Sequence, residues 1–208
     1  MNYQLLVLDC DGVMFDTSEA NTVYYNYFLE HFGREPMTRE QFEFVHAHTI
    51  DQALDYLFEG DGEIIRQAYQ LRKSIDYGDF LKYLTIEPTL VDLLNQIRPP
   101  VKTAIATNRT DTMHHLLKEF GLEGQFDMVV TSLDVTRPKP HPEPLQKILD
   151  HFGLGSREAL YVGDSVVDAR AAAAARMPFA AYRNRGLEAT YFIDSLLDLK
   201  NYLSGAEN

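Results

Sequence analysis

Asp9 and Asp11 follow directly on the apolar run Leu5 to Leu8, with Cys10 between them and Gly12 after. Successive side chains of an extended strand alternate faces, so this spacing predicts two carboxylates pointing the same way and Cys10 pointing the other. Like charges held close destabilise a fold unless a cation, a hydrogen-bond shell or a catalytic task compensates. The pair therefore reads as a metal site, as an acid and nucleophile pair, or as a solvated loop end. Cys10 is the single cysteine of the chain. It has no partner for a disulfide or a thiolate metal site and reads as a small buried packing residue.

Other polar residues stand at comparable places. Thr107 and Asn108 close the segment TAIAT, Lys139 lies in the loop after MVVT, and Asp164 and Asp168 follow LYV. If these segments are strands of an open parallel sheet, all of these residues fall at carboxyl ends, where such sheets bind ligands. Asp9, Asp11 and Asp164 offer hard oxygen ligands suited to Mg²⁺, which usually shares its shell with water and substrate phosphate. With charge drawn from it, Asp9 could attack phosphorus and form an aspartyl-phosphate, and Asp11 could serve as general acid or base. The Thr107 hydroxyl, the backbone N–H groups near Asn108 and the Lys139 ammonium fit the donors and second cation that phosphoryl transfer needs. Gly12 would let the main chain pass close to the phosphate.

The elements that must position these residues can be read from the pattern. Five short apolar runs, Leu5–Leu8, Thr103–Thr107, Met128–Thr131, Leu160–Val162 and Phe179–Tyr182, are bounded by turn signals and separated by helical periodicity. Apolar character at nearly every position suits strands buried on both faces, and the alternation predicts an α/β fold: a Rossmann-like parallel sheet with helices on both faces. Thr110 is the expected start of a helix ending at Gly121, and Pro142 and Gly153 bracket another. Between about residues 17 and 87 the strand-like runs give way to about four helices. Thr38 with Gln41 and Thr49 with Gln52 form capping boxes there, and Met37 with Phe42 a hydrophobic staple. Tyr24, Tyr25 and Tyr27 share one of these helices and are expected in its core. The organisation predicted is a core of residues 1–16 and 88–208, with a small helical domain, 17–87, over the carboxyl edge of the sheet.

Composition narrows the function. The 208 residues are 45% hydrophobic, enough for a sizeable core, and carry 19 basic against 31 acidic residues, a formal charge of -12. Such a balance repels phosphate backbones and argues against nucleic acid as a partner. The first apolar run breaks after four residues, too short for a signal peptide or membrane span, so a cytoplasmic protein with no membrane partner is expected. A monomer or a homodimer fits equally.

The sequence resembles the haloacid dehalogenase superfamily. DCDGV at 9–13, TN at 107–108, KPHP at 139–142 and GDSVVD at 163–168 match its four motifs in order and spacing. The helical insertion is similar to the cap of the phosphoglycolate phosphatase and β-phosphoglucomutase group, with Asp16 in the flap after the first strand. The resemblance implies Asp9 as nucleophile and magnesium ligand, and Asp11 as acid and base with its carbonyl on the metal. It further implies Thr107 and Lys139 on the phosphate, Asp164 as a metal ligand, and Asp168 supporting it. Dehalogenases of the family lack the second aspartate, so the presence of Asp11 sets dehalogenation aside. Two departures stand out. Arg176 replaces a glycine usual after the alanine-rich helix, and His46 and His48 replace glycines in the cap segment where substrate specificity resides. These histidines, with Arg109 beside Thr107, are the candidate substrate contacts. The expected activity is Mg²⁺-dependent hydrolysis of a small phosphorylated metabolite. A β-phosphoglucomutase-like mutase, an inorganic pyrophosphatase and a receiver-like signalling module are the alternatives.

Overall fold

The structure, a computed structural model, describes residues 3–203. All four side chains of its first strand, β1 (Leu5–Leu8), are buried, which is why that segment is apolar throughout instead of alternating. After β2 (Phe15–Asp16) come the helices α1 (Ser18–His31), α2 (Arg39–Ala47), α3 (Ile50–Leu57), α4 (Gly62–Ser74) and α5 (Gly78–Leu81), then β3 (Thr85–Ile86). From there α6 (Leu90–Ile97), β4 (Lys102–Ala106), α7 (Met113–Glu119), β5 (Met128–Val130), α8 (Glu143–Phe152), β6 (Ala159–Gly163), α9 (Val166–Ala175), β7 (Phe179–Tyr182), β8 (Tyr191–Ile193) and α10 (Lys200–Leu203) follow.

Six strands form one sheet in the order β5-β4-β1-β6-β7-β8, every pairing parallel. The chain runs outward from β1 through β4 to β5 and returns to the other flank at β6. The order therefore reverses between β1 and β6, the place at the carboxyl ends where open parallel sheets bind ligands. Leu8, the last residue of β1, is level with Ile105 of β4 and Val162 of β6. One face of the sheet packs Leu5, Val7 and Ala104 with Leu145 and Ile148 of α8 and Ala171 of α9.

The chain divides into two compact units, one formed by the segments up to Phe15 and from Ile86 onward, the other by Asp16–Thr85. The second unit holds five helices instead of about four, and β3 pairs with β2 in a stretch whose pattern reads as helical. The additions, α5 and the two-residue β3, are too short to leave a period. Both predicted capping boxes form, with Gln41 and Gln52 returning a bond to the main chain of Thr38 and Thr49. Tyr24 and Tyr25 are buried, Tyr24 edge-on to Phe28 and Phe80. Tyr27 is 44% exposed instead of in the core. At about 3.6 residues per turn it falls off the face that Tyr24, Tyr25 and Phe28 share.

One local outcome differs from the sequence reading, and one departure from the family pattern shows its consequence. The helix expected from Thr110 begins only at Met113. Thr110 gives its hydroxyl to Asp111, and Thr112 accepts from the Arg109 guanidinium, so neither side chain caps the helix. At the end of α9, Arg176 takes the left-handed conformation, φ 55°, that the expected glycine would supply. Non-glycine residues adopt it at a cost.

Two predictions follow from these elements. Arg176→Gly relieves the left-handed residue but loosens the unfolded chain, so a net stabilisation of about 0.5–1 kcal/mol, read as a Tm about 1–4 °C higher, is expected. A Tm at or below wild type would mean that Arg176 is not strained there. Asp127 accepts the Thr103 N–H at 2.9 Å and faces Arg98 at 3.3 Å and Lys102 at 3.5 Å. Burial pushes its carboxyl up, but the Thr103 bond and the two cations outweigh it and hold it below the usual 3.8. A depressed folded pKa stabilises above the unfolded value and loses that contribution as pH falls through the folded one. The Tm gap between wild type and Asp127→Asn should therefore be full near neutrality and close as the pH drops below 3.8; a gap independent of pH would refute the ionic origin.

Candidate active site

β1 ends at Leu8, and the chain turns at once: Met14 and Phe15 both donate to the Cys10 carbonyl, at 3.0 and 3.1 Å. Asp9 and Asp11 lie in this turn instead of on the strand, so their carboxylates take different partners. Asp9 receives the Cys10 N–H at 2.7 Å and the Lys139 ammonium at 2.8 Å, both on Oδ1. Asp11 is gripped by Arg109, whose Nε donates to Oδ2 at 2.8 Å and Nη2 to Oδ1 at 2.7 Å. Cys10 is buried, and burial pushes its thiol up.

The carboxylates that converge are those of Asp9, Asp164 and Asp168, which offer oxygens within 4.8 Å of one another. Asp168 takes the place that the strand alternation assigned to Asp11. Its position comes from a capping box at the start of α9. Ser165 donates its hydroxyl to Asp168 Oδ2 at 2.5 Å, and the Asp168 N–H returns a bond to Ser165 Oγ at 3.2 Å. The other oxygen, Oδ1, accepts from Lys139 at 2.7 Å and from the Tyr161 hydroxyl at 2.5 Å. Two glycines make the approach possible. A Cβ on Gly12, where φ is +76°, would lie 2.0 Å from Asp164 Oδ2, and one on Gly163 would lie 2.4 Å from the Asp168 Cβ.

Lys139 stands at the centre, its ammonium donating to Asp9, to Asp168 and, at 2.9 Å, to Tyr161. An ammonium has three donors, and all three are taken. The Asn108 amide donates to the Lys139 carbonyl at 3.0 Å and so ties the loop after β4 to the lysine. Thr107 is buried, and its hydroxyl accepts the Arg109 N–H at 3.1 Å. Asp164 is fixed through its carbonyl, which accepts from Asn184 at 2.8 Å.

The charges respond to this crowding. Burial, then the charge of Asp168, push the Asp9 carboxyl up to about 7 against the pull of Lys139. Asp164 is pushed well above the carboxylate range by burial and by the charges of Asp168 and Asp9. Burial also acts on Asp168, but the Lys139 charge and the bonds from Lys139, Ser165 and Tyr161 outweigh it and hold that carboxyl low. Burial would lower the Lys139 ammonium, yet Asp168 and Asp9 raise it above its ordinary value.

Asp9, Asp11, Gly12, Thr107, Asn108, Arg109, Lys139, Asp164 and Asp168 thus form one connected group in the sheet unit. His46 and His48 belong to the helical unit. There His46 pairs with the Asn21 amide at 3.0 Å and stacks on Phe42, and His48 contacts the Phe44 carbonyl at 2.8 Å and stacks on Phe44. Tyr161, Ser165 and Asn184 were not singled out from the sequence. The Ser165–Asp168 spacing is a recognisable capping box, and Tyr161 is a hydroxyl in an otherwise apolar strand; Asn184 leaves no comparable sign.

Pyrophosphatase PpaX of Bacillus pumilus is 30% identical to the chain over 166 residues, 78% of this chain and 75% of that protein. Phosphoglycolate phosphatase of Nitrosococcus oceani is 26% identical, over 98% of this chain and 97% of that one. A solved haloacid dehalogenase-superfamily hydrolase, subfamily IA, variant 1, from Geobacter sulfurreducens is 37% identical with a TM-score of 0.78, covering 97% of each chain. Residues 6–182 match the haloacid dehalogenase-like hydrolases, and the chain belongs to that family as an enzyme of its phosphatase kind.

Proposed function

We propose that the protein hydrolyses a small phosphorylated substrate through an aspartyl-phosphate on Asp9, with Mg²⁺ as cofactor. The observation that carries this reading is the Asp9 carboxylate. It is buried, adjoins a lysine and two further carboxylates, and has both its bonds on Oδ1. Oδ2 accepts from no protein group among the described residues and is the oxygen assigned to the attack.

The donor set fits the cofactor. Asp9, Asp164 and Asp168 present carboxylate oxygens without sulfur or imidazole, the hard ligands Mg²⁺ prefers. Asp9 and Asp164 are both pushed up, first by burial and then by the neighbouring carboxylates, and a cation would offset the second of these. These residues would hold the ion, which would supply charge neutralisation at the phosphoryl oxygens.

In the first half-reaction Asp9 Oδ2 bonds to phosphorus, the bond to the leaving oxygen breaks, and Asp11, entering the step protonated, gives that oxygen its proton; the second half-reaction restores it. In the second, water attacks phosphorus, Asp11 takes its proton, and the bond to Asp9 breaks to free phosphate. The Thr107 hydroxyl holds a phosphoryl oxygen, Lys139 turns to the phosphoryl group the donor that it gives Asp9 in the free protein, Asn108 keeps the Lys139 loop in place, and Gly12 leaves room for the group. We assign specificity to the helical unit as a cap, with His46 and His48 as its substrate contacts. Relatives named phosphoglycolate phosphatase and pyrophosphatase make phosphoglycolate and inorganic pyrophosphate the first substrates to try.

Phosphate release should be seen with Mg²⁺, vanish with EDTA, and fall in Asp9→Asn by about 10³-fold or more, as for loss of a covalent nucleophile. Acid quenching during turnover should trap a phosphorylated protein in wild type and none in Asp9→Asn. Turnover by Asp9→Asn at the wild-type rate would overturn the covalent route.

A further inference from the structure

Arg109 is tied down at every part. Its N–H donates to Thr107 Oγ1 at 3.1 Å, and its carbonyl accepts from the Ser132 N–H at 2.9 Å and the Ser132 hydroxyl at 3.0 Å. Its Nη1 donates to Thr112 Oγ1 at 3.2 Å, and Nε with Nη2 spans both oxygens of Asp11. The two side chains are 7% and 14% exposed, so the pair is shielded from the screening that makes surface ion pairs weak.

A bidentate guanidinium fixes more than a charge. Two parallel bonds set the plane and the distance of the carboxylate, which one ammonium cannot do. Asp11 lies in a turn, not on a strand, and its side chain is outside the group formed by Asp9, Asp164 and Asp168. Arg109 orients it through both oxygens. The same residue bonds the Thr107 hydroxyl through its main chain, so one anchor sets both the proton-carrying carboxylate and a phosphate-binding hydroxyl.

We propose that Arg109 is a positioning residue for Asp11, acting on both half-reactions through that carboxylate and not by touching the substrate. The inference rests on the phosphatase reading above. General acid–base catalysis needs the carboxylate within hydrogen-bond reach of the oxygen it serves, and a misplaced group loses rate without losing binding.

The test is a cycle of Arg109→Ala, Asp11→Asn and the double variant, with Arg109→Lys and Arg109→Gln beside them, all in the full chain. Phosphate release is measured with Mg²⁺ on whichever of pyrophosphate and phosphoglycolate the wild type turns over. Arg109→Ala should lower kcat about 10- to 100-fold with KM within about 3-fold of wild type. Arg109→Lys should recover little, whereas added guanidinium should partly restore Arg109→Ala. The double variant should be no slower than Asp11→Asn alone, because both changes act on one carboxylate. A raised KM with unchanged kcat would make Arg109 a substrate contact, and additive losses would mean that it works apart from Asp11; either overturns the proposal. Thermal unfolding checks each variant, and if Arg109→Ala does not fold, Arg109→Gln takes its place in the cycle. No release by wild type would overturn the phosphatase reading and this inference together. Release by wild type with Arg109→Ala unchanged would overturn the inference alone.

Discussion

The ammonium of Lys139, with a side chain only 2% exposed, has to find its counter-charges inside the protein. An ion taken out of water and left unpaired costs several kcal/mol, so the fold must bring acceptors to it from separate elements. Asp9 comes from the turn after β1, Tyr161 from β6 and Asp168 from the first turn of α9. That convergence requires β1 and β6 to be neighbours and α9 to start directly after β6. It also requires position 163 to carry no Cβ, which would lie 2.5 Å from the Asp168 carboxyl carbon. The lysine's own loop is held from the opposite flank of β1 by Asn108, which follows β4. The strand order β4-β1-β6 is thus the arrangement that lets one buried cation be satisfied on all sides.

The same dependence explains what could be read in the chain beforehand. Strands buried on both faces must be apolar at nearly every position, and β1, β4, β6 and β7 were visible for that reason; β5, a partly buried edge strand, is also an apolar run. β8 was not read, although Tyr191, Phe192 and Ile193 form an apolar run as long as Leu160–Val162; it lies at the edge of the sheet, where Tyr191 and Phe192 are not buried. The polar residues after β1, β4 and β6 were conspicuous because they interrupt apolar runs. Which of them meet was not conspicuous. Alternation along a strand assigned Asp11 to the acidic group, but the strand stops at Leu8 and the turn gives Asp11 to Arg109. The delayed start of α7 has the same origin: the segment from Thr110, read as the start of the helix, stays with the site, where Thr112 accepts from Arg109, and the helix begins only after it. Local rules fail here where long-range contacts claim the side chain. At Arg176 the reverse holds, since the helix ending needs a left-handed residue and imposes it on an arginine.

Charge is the remaining constraint. Asp9, Asp11, Asp164 and Asp168 set four carboxylates against the two cations Lys139 and Arg109, an excess of two negative charges in a chain whose formal charge is already -12. Both cations are engaged by carboxylates. An anionic phosphoryl group therefore meets a field that opposes its entry unless local positive charge is added. In the proposed reading a divalent cation would make up that difference, two charges against two, and would offset the carboxylate repulsion that adds to burial in lifting Asp9 and Asp164 toward protonation. The distribution of the excess also matters. It lies with Asp9 and Asp164, whereas Asp168 is held ionised by Lys139 and Asp11 is paired with the Arg109 fork. A carboxylate already neutralised by a fixed guanidinium can stand beside the phosphoryl group without adding to the repulsion. In that reading Asp11 is the group that exchanges a proton with the leaving oxygen and then with water, while Asp9 keeps one oxygen unclaimed for phosphorus.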